Sequence, residues 1–340
     1  MAAYPTKPLV TVLMTVYNVE QYLREAIDSI LNQTYTDFIF LIINDCSQDN
    51  SEEVIKSYTD PRIQYFKNEK NLGLTGALNV GVRMIDTKYI IRMDADDISV
   101  LNRFEILVNF MESHADVGVF SSGLQRFGAD NSKWQFPQNN DDIKANLLFG
   151  PCIAHAPAII RTAVMKDNNI YYRELYKQME DYDLWYRLLP YTNFANIHDI
   201  LYMYRIATHN YTVMNPEAGL DRKKAIYQWI LETFGIDPTE EELLLHISLN
   251  YKIKEDITDK VTKTRVWLDK LIALNLKNNY FPHAALLKQI DTRWNQLFFT
   301  LPAKSNKSVF TFIKLNKGIS FIQWSYLGKF MVNKMLGRKK

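Results

Sequence analysis

In "KYIIRMDADDISV" (88–100) three carboxylates, Asp94, Asp96 and Asp97, fall within four residues directly after an apolar run. Crowded carboxylates raise one another's pKa unless a cation neutralises them. The usual partner for such oxygen ligands is a hard divalent cation, Mg²⁺ or Mn²⁺. One or two carboxylates hold it and substrate phosphates complete its shell. On that reading the acids hold a metal and the metal holds a diphosphate. The plainer reading is a solvated turn whose acids cap a helix starting near Ser99. A second acidic pair, Glu180 and Asp181 in "MEDYDLWYRL", precedes another apolar run. Acids at that place also suit the positive end of a helix.

Such groups need elements that bring them together. "LVTVLMTV" (9–16) is continuously apolar and β-branched, as a strand buried on both faces should be. It breaks at Tyr17-Asn18. "VEQYLREAIDSILNQ" then places Tyr22, Leu23, Ala26, Ile27, Ile30 and Leu31 at helical spacing. "FIFLIIND" (38–45) predicts a second buried strand, and "SQDNSEEVIKSYT" a helix with Ser or Asp caps and an acidic first turn. "RIQYFKN", "KYIIRMD" and "VGVFSSG" (117–123) predict further strands, with a glycine-led helix in "NLGLTGALNVGVRMI". Strands alternating with helices imply right-handed βαβ units and a mostly parallel, doubly wound sheet. Ligands of such sheets bind beyond the carboxyl ends of the strands. Asp45 and Asp94 end two of them.

The chain has 340 residues, 47% hydrophobic and 13% aromatic, enough for one large domain with an extension or for two. After about residue 215 the pattern turns charged and helical, which divides the chain into 1–215 and 216–340. Cys46 and Cys152 fit neither a metal spacing nor a disulfide framework, so a reducing, cytoplasmic setting is expected. The first residues lack the basic region and apolar core of a signal peptide. No apolar run reaches the ~18 residues of a membrane span. A soluble or peripheral protein is expected.

The motifs come in an order that resembles one family, the inverting family-two glycosyltransferases with a GT-A (Rossmann-like) fold, over roughly residues 8–210. "VTVLMTVYN" is similar to their first strand, which abuts the nucleotide base. "IINDCSQDNS" is similar to their second strand and its acidic turn, whose aspartate contacts uracil or ribose. "NLGLTGALNVGV" resembles their Asn-x-Gly helix start, "DADD" their DxD motif, and "MEDYDLWYRL" the start of their catalytic helix. The resemblance implies a mixed, doubly wound GT-A sheet with a helical C-terminal extension. It also implies attack of an acceptor hydroxyl on a nucleotide-activated sugar.

Carried onto this sequence, the resemblance implies donor contacts at Thr15, Tyr17, Asn18, Asp45, Asn71, Gly73, Asn79, Arg92, Asp94 and Ala95. Asp96 is the first choice for the metal, with Asp94 facing the ribose or the metal through water. Asp97 is the alternative metal ligand and His209 a third. A hydroxyl is a poor nucleophile and needs a base within reach. The resemblance puts that base at Asp181, with Glu180 beside it as the alternative or as a group orienting the acceptor. His155 and Arg205 are implied at the acceptor or the diphosphate, although a lone histidine is equally a hydrogen-bonded structural residue. Arg83 is a further phosphate or ribose candidate, and Trp185 reads most simply as core. One departure stands out. Asn44 and Cys46 replace an acid and a glycine usual in relatives, which loosens the nucleotide preference and leaves a UDP donor as the default.

Nine of the chain's 40 Lys and Arg, and none of its 38 acids, lie in 303–340, which leaves the first 302 residues at net −7. In that tail Ile322, Tyr326 and Phe330, with Leu327 and Met331, recur at helical spacing. A basic amphipathic helix with aromatics suits the anionic cytoplasmic membrane face, and a lipid-linked acceptor there. It equally suits a helix packed on the body or on another subunit. The alternatives to a transferase are a sugar nucleotidyltransferase and a non-catalytic nucleotide- or sugar-binding module. The first needs a glycine-rich basic loop after the first strand, which "TVYNVEQYLRE" lacks; the second has no use for a base. A nucleic-acid partner is disfavoured because the basic residues concentrate in the tail.

Overall fold

A computed structural model describes residues 7–206, 218–251, 259–303 and 305–335. The chain falls into two compact units, Met1–Leu147 with Pro151–Arg222, and Leu148–Gly150 with Lys223–Lys340.

The first unit is α/β. Its elements are β1 (Val10–Val16), α1 (Glu20–Leu31), β2 (Phe38–Asn44), α2 (Ser51–Lys56), β3 (Ile63–Lys67), α3 (Gly73–Met84), β4 (Tyr89–Asp94), β5 (Ile98–Ser99), α4 (Arg103–Ser113), β6 (Val117–Gly128), β7 (Lys133–Trp134), α5 (Asn140–Asn146), β8 (Ile159–Arg161), α6 (Thr162–Lys166), α7 (Glu180–Leu188) and β9 (Asn193–Ile206). The sheet runs β3-β2-β1-β4-β8-β6-β9-β5, with β7 paired to β6. β3, β2, β1 and β4 are mutually parallel. The short β8 runs antiparallel to both β4 and β6, and β6 and β9 are parallel to each other. The sheet is therefore mixed. The parallel part matches the βαβ reading. The reversal at β8 escapes it because three residues are too few to show a period.

β1 is buried along nearly its whole length, so its Val, Leu and Met, interrupted only by Thr11 and Thr15, are what both covered faces require. Leu23, Ala26, Ile27 and Ile30 of α1 are fully buried with Val10, Val12, Met14 and Phe40. Each of these side chains larger than Ala26 contributes about 1.5–3 kcal/mol of burial. α3 lies so close to the sheet that a Cβ on Gly81 would sit 2.2 Å from Leu13 Cδ1. β1, β2 and β4 stay in register to their ends, with Thr15 opposite Asp94 and Val16 opposite Asn44. Asp45 and the 94–97 turn thus emerge at the same edge of the sheet, on either side of β1. The helix expected near Ser99 begins only at Arg103, after β5 has paired with β9. The acids of "DADD" therefore cap no helix.

The second unit is helical. α8 (Ala218–Phe234), within which the division falls, leads to α9 (Glu240–Ile247), α10 (Lys260–Asn278), α11 (His283–Phe298), α12 (Asn306–Leu315) and α13 (Phe321–Met335). Thr239 and Glu242 form a reciprocal capping box at α9. His246 is fully buried, paired with the Leu148 carbonyl at 3.0 Å and with Trp267 Nε1 at 3.2 Å. Burial lowers its pKa to about 4, so it is a neutral structural group. Among the described residues no helix is long and apolar enough to cross a membrane.

Candidate active site

At the end of β2, Asp45 is buried and its Oδ1 accepts from Asn68 Nδ2 at 2.7 Å and from the Leu72 N–H at 2.9 Å. It thereby fixes the turn that starts α3, where Asn71 Oδ1 takes the N–H of Gly73 at 3.0 Å. Gly73 has φ +72, open to it because it lacks a Cβ. Asn18 and Cys46, just past the ends of β1 and β2, also have positive φ, 50° and 64°. Asn18 Oδ1 accepts the Gln48 N–H at 2.7 Å and Ser47 Oγ accepts the Asn18 N–H at 3.1 Å, so the two turns brace each other. Asn44, standing in place of an acid, is fully buried and bonds Tyr65 and the Ser47 N–H. Thr15 is half-buried and Tyr17 exposed at this edge.

Asn79 uses both polar ends on the backbone of Tyr172, donating to its carbonyl at 2.8 Å and accepting its N–H at 2.9 Å. It ties α3 to the chain that leads into α7 rather than pointing an amide at a ligand.

The 94–97 turn is held from several sides. Arg92 is buried and ion-paired to Asp94. Burial opposes its charge, but Asp94 outweighs that and keeps it cationic. The Asp94 N–H donates to the Tyr202 hydroxyl at 3.1 Å. Beneath, Arg103 donates to the carbonyls of Arg92 at 2.6 Å and Ala156 at 2.7 Å. Ala95 is buried. Burial, then Asp94, raises the Asp96 carboxyl to about 6.

Asp97, the alternative metal ligand, is only 1% exposed. Its Oδ1 accepts the Arg205 N–H at 2.7 Å, while Oδ2 is buried without a hydrogen bond. Burial, with Asp94 and Asp96, pushes its pKa well up. Enclosed in this way Asp97 supports the turn, and the half-buried Asp96 is the more accessible of the two carboxyls. Arg205 also differs from its expected place. Its Nε donates to the Asp96 carbonyl at 2.7 Å, it pairs with Glu25, and it lies 4.4 Å from the rings of Tyr22 and Phe127. These bonds make it a brace of the acidic turn. Arg83 lies over the Tyr171 ring at 5.2 Å. His209 lies outside the described residues.

α7 supplies the second acidic pair. Glu180 is 8% exposed, and burial followed by Asp181 raises it to about 7. Asp181 accepts the Tyr182 N–H at 2.7 Å. Burial raises it to about 6 despite that bond. The helix start is pinned by Asp183, fully buried between two arginines: Arg173 Nε at 2.9 Å and Arg187 Nη2 at 2.7 Å. Trp185 is buried and donates to the Ile153 carbonyl, the core role expected of it. His155 Nε2 pairs with the Tyr172 hydroxyl at 2.8 Å, and burial, then Arg92, lowers its pKa well below the usual value. His155 is a neutral partner of Tyr172.

The two acidic groups share one electrostatic environment. Arg92 and Asp94 act on Asp181, and Arg92, Glu180, Asp181 and Asp94 all act on Tyr172. The sequence-selected residues Arg92, Asp94, His155, Glu180 and Asp181 therefore converge. Tyr172, Tyr202 and Arg103 join them without a motif that marks them. Their signals, isolated tyrosines and an arginine at a helix start, are too common to read.

The pattern of the family described as "Glycosyl transferase family 2" matches residues 11–180, half the chain. The chain belongs to that family. It is a transferase. An uncharacterized glycosyltransferase of Haemophilus influenzae is 31% identical over 276 residues, covering 76% of this chain and 84% of that one. The O-antigen biosynthesis glycosyltransferase WbnJ of Escherichia coli is 32% identical over 213 residues, 59% of this chain and 80% of that one. In three dimensions the chain is similar to S. aureus TarS 1-349 in complex with UDP-GlcNAc, with TM-score 0.57, 18% identity, and 84% and 89% of the two chains covered. That likeness shows the GT-A fold.

Among the described residues no three His, Cys, Asp or Glu side chains converge to hold a metal ion. The donor set still fits one. Asp94 and Asp96 offer only oxygens, and Asp96 is a desolvated carboxyl that a cation would stabilise in its charged form. A Mg²⁺ or Mn²⁺ ion needs only one or two such groups when a diphosphate supplies the rest.

Proposed function

We propose that this family-two enzyme is an inverting glycosyltransferase that moves a hexosyl or N-acetylhexosaminyl group from a nucleoside diphosphate sugar, UDP by default, to a saccharide or lipid-linked saccharide. What supports the reading is the buried Arg92–Asp94 ion pair at the end of β4 together with the Asp181 carboxyl at the start of α7, which lies within the electrostatic reach of both. One end of such a site handles a diphosphate and the other a proton.

Asp96 is the carboxylate assigned to a divalent ion, with Asp94 beside it, aligned by Arg92. When bound, that ion supplies Lewis-acid stabilisation of the departing diphosphate. Asp45, Asn18 and the turn at Gly73 shape the place for base and ribose, where Thr15 and Tyr17 border it. Asp181, with a pKa of about 6, is ionised near neutral pH and still basic enough to draw a proton from an attacking hydroxyl. Single displacement with one base inverts the sugar carbon. Glu180, at about 7, shares a proton readily and orients the acceptor. His155 and Tyr172 hold the floor between the two ends.

A UDP donor is supported by the UDP-GlcNAc complex of TarS, and a saccharide acceptor in cell-surface polysaccharide synthesis by the naming of WbnJ. A cytoplasmic setting is part of the proposal, and Cys46 and Cys152 are both free. The test is transfer from a panel of UDP-sugars, with the anomeric configuration of the product read by NMR. Inversion, lost in Asp181→Asn while UDP binding persists, supports the assignment. A retained configuration would exclude Asp181 as the base of a single displacement.

A further inference from the structure

By sequence, Ile322, Tyr326 and Phe330, with Leu327 and Met331, share a face that meets a membrane or the body. In the structure part of that face turns inward, while Ile322 and Met331 stay exposed. Leu327 and Gln323 are buried, Gln323 reaches Asn295 of α11 at 3.2 Å, and the Tyr326 hydroxyl bonds the Phe299 carbonyl at 2.8 Å. The opposite side of α13 is nonetheless apolar. Phe321, Trp324, Met331, Val332 and Met335 are 86%, 58%, 47%, 53% and 83% exposed. At ~100° of rotation per residue these five fall, with Gly328, in one stripe about 100° wide. Lys329 and Lys334 flank it on either side, each about 60° from the edge by the same rotation.

Two neighbouring features extend the surface. A cleft of about 400 Å³ is lined by Pro302, Asn306, Leu327, Phe330, Met331, Lys334 and Met335, so it shares Met331 and Met335 with the stripe and Lys334 with its flank. On α12, Phe310 is 71% exposed, with exposed Lys307 and Lys314 one turn away on each side. A helix whose second face is this apolar has an unmet partner.

We propose that α12 and α13 form a docking surface for an anionic lipid bilayer, with the stripe immersed at the headgroup level and the lysines on lipid phosphates. Charge selects this occupant over a second copy of the chain. A self-pairing stripe would set Lys329 and Lys334 against their own equivalents, and residues 303–340 contain no acid to answer them. An anionic surface answers every lysine at once. The cleft beside Met331 and Met335 offers room for an acyl chain. Docking of this kind does not depend on the transferase reading.

The experiment is co-sedimentation of the full chain with phosphatidylcholine vesicles, with and without phosphatidylglycerol, at low and high salt. Binding is expected only with phosphatidylglycerol and should fade with salt. The pair K329Q and K334Q should weaken it roughly fivefold per lysine, and Trp324→Ser on the order of tenfold. UDP binding should be unchanged in each, which reports an intact first unit. Circular dichroism checks that the helices persist. Equal binding to neutral vesicles, or binding unmoved by these substitutions, would overturn the proposal. So would an absence of binding, and a dimer in sedimentation velocity that Trp324→Ser dissolves would then assign the stripe to a second copy.

Discussion

Asp181→Asn should abolish transfer and at the same time make the protein more stable at alkaline pH. Burial holds the Asp181 carboxyl at about 6, against 3.8 for the free side chain. An acid whose pKa is raised on folding binds its proton more tightly in the native state. Its contribution is most favourable below the unfolded value and is lost as pH rises from about 4 through about 6. That difference is worth about 3 kcal/mol, an upper figure because Asp181 is partly exposed and interacts with Glu180. Asparagine keeps an oxygen for the Tyr182 N–H and carries no charge. The variant should therefore melt about 4–8 °C higher than the parent at pH 8, for about 2 kcal/mol in a domain of this size. The gap should shrink towards zero by pH 4. Calorimetric melting at both pH values, beside a transfer assay, measures this. In the parent, transfer should fall about tenfold per pH unit below pH 6 as the base is protonated. A variant less stable than the parent at pH 8, or a gap independent of pH, would refute the picture of a base held under desolvation.

Other expectations follow from single contacts. Asp183→Ala leaves Arg173 and Arg187 facing an empty buried site and should cost about 3–5 kcal/mol in chemical denaturation. Asn79→Ala cuts both ties to the Tyr172 backbone. It should cost about 1–3 kcal/mol, and steady-state kinetics should show kcat reduced more than UDP affinity. Cys46→Gly removes a Cβ from a residue at φ 64. The left-handed penalty it relieves exceeds the added chain entropy, so a gain of about 0.5–1 kcal/mol in denaturant melts is expected.

The parallel half of the sheet is legible because β1, β2 and β4 are long apolar runs, the last two leading into acids. Burial on both faces writes itself into composition. The second half is less so. β5 and β8 are two and three residues long, and β9 is interrupted by Asn196, His198 and Asp199, so pairing rather than pattern makes them strands. Within the site, the acids can be read because carboxylates at strand ends are costly without a purpose. What each does beyond that depends on neighbours far along the chain. Asp97 and Asp96 are adjacent and chemically alike, yet the Arg205 N–H, 108 residues on, claims only Asp97. The family resemblance implies Arg205 at the acceptor or the diphosphate. Glu25, Tyr22 and Phe127 instead enclose it. The glycine missing at Cys46 is visible as a departure, but only the backbone shows the left-handed turn that glycine would ease.

The most direct measurement of the central claim is calorimetric titration of UDP into the protein with Mn²⁺, then with EDTA, and again with Asp96→Asn. Binding should need the ion and be weakened at least tenfold by the substitution, with the fold unchanged. UDP binding as tight in EDTA as in Mn²⁺, and indifferent to Asp96→Asn, would contradict a carboxylate-held ion at the diphosphate.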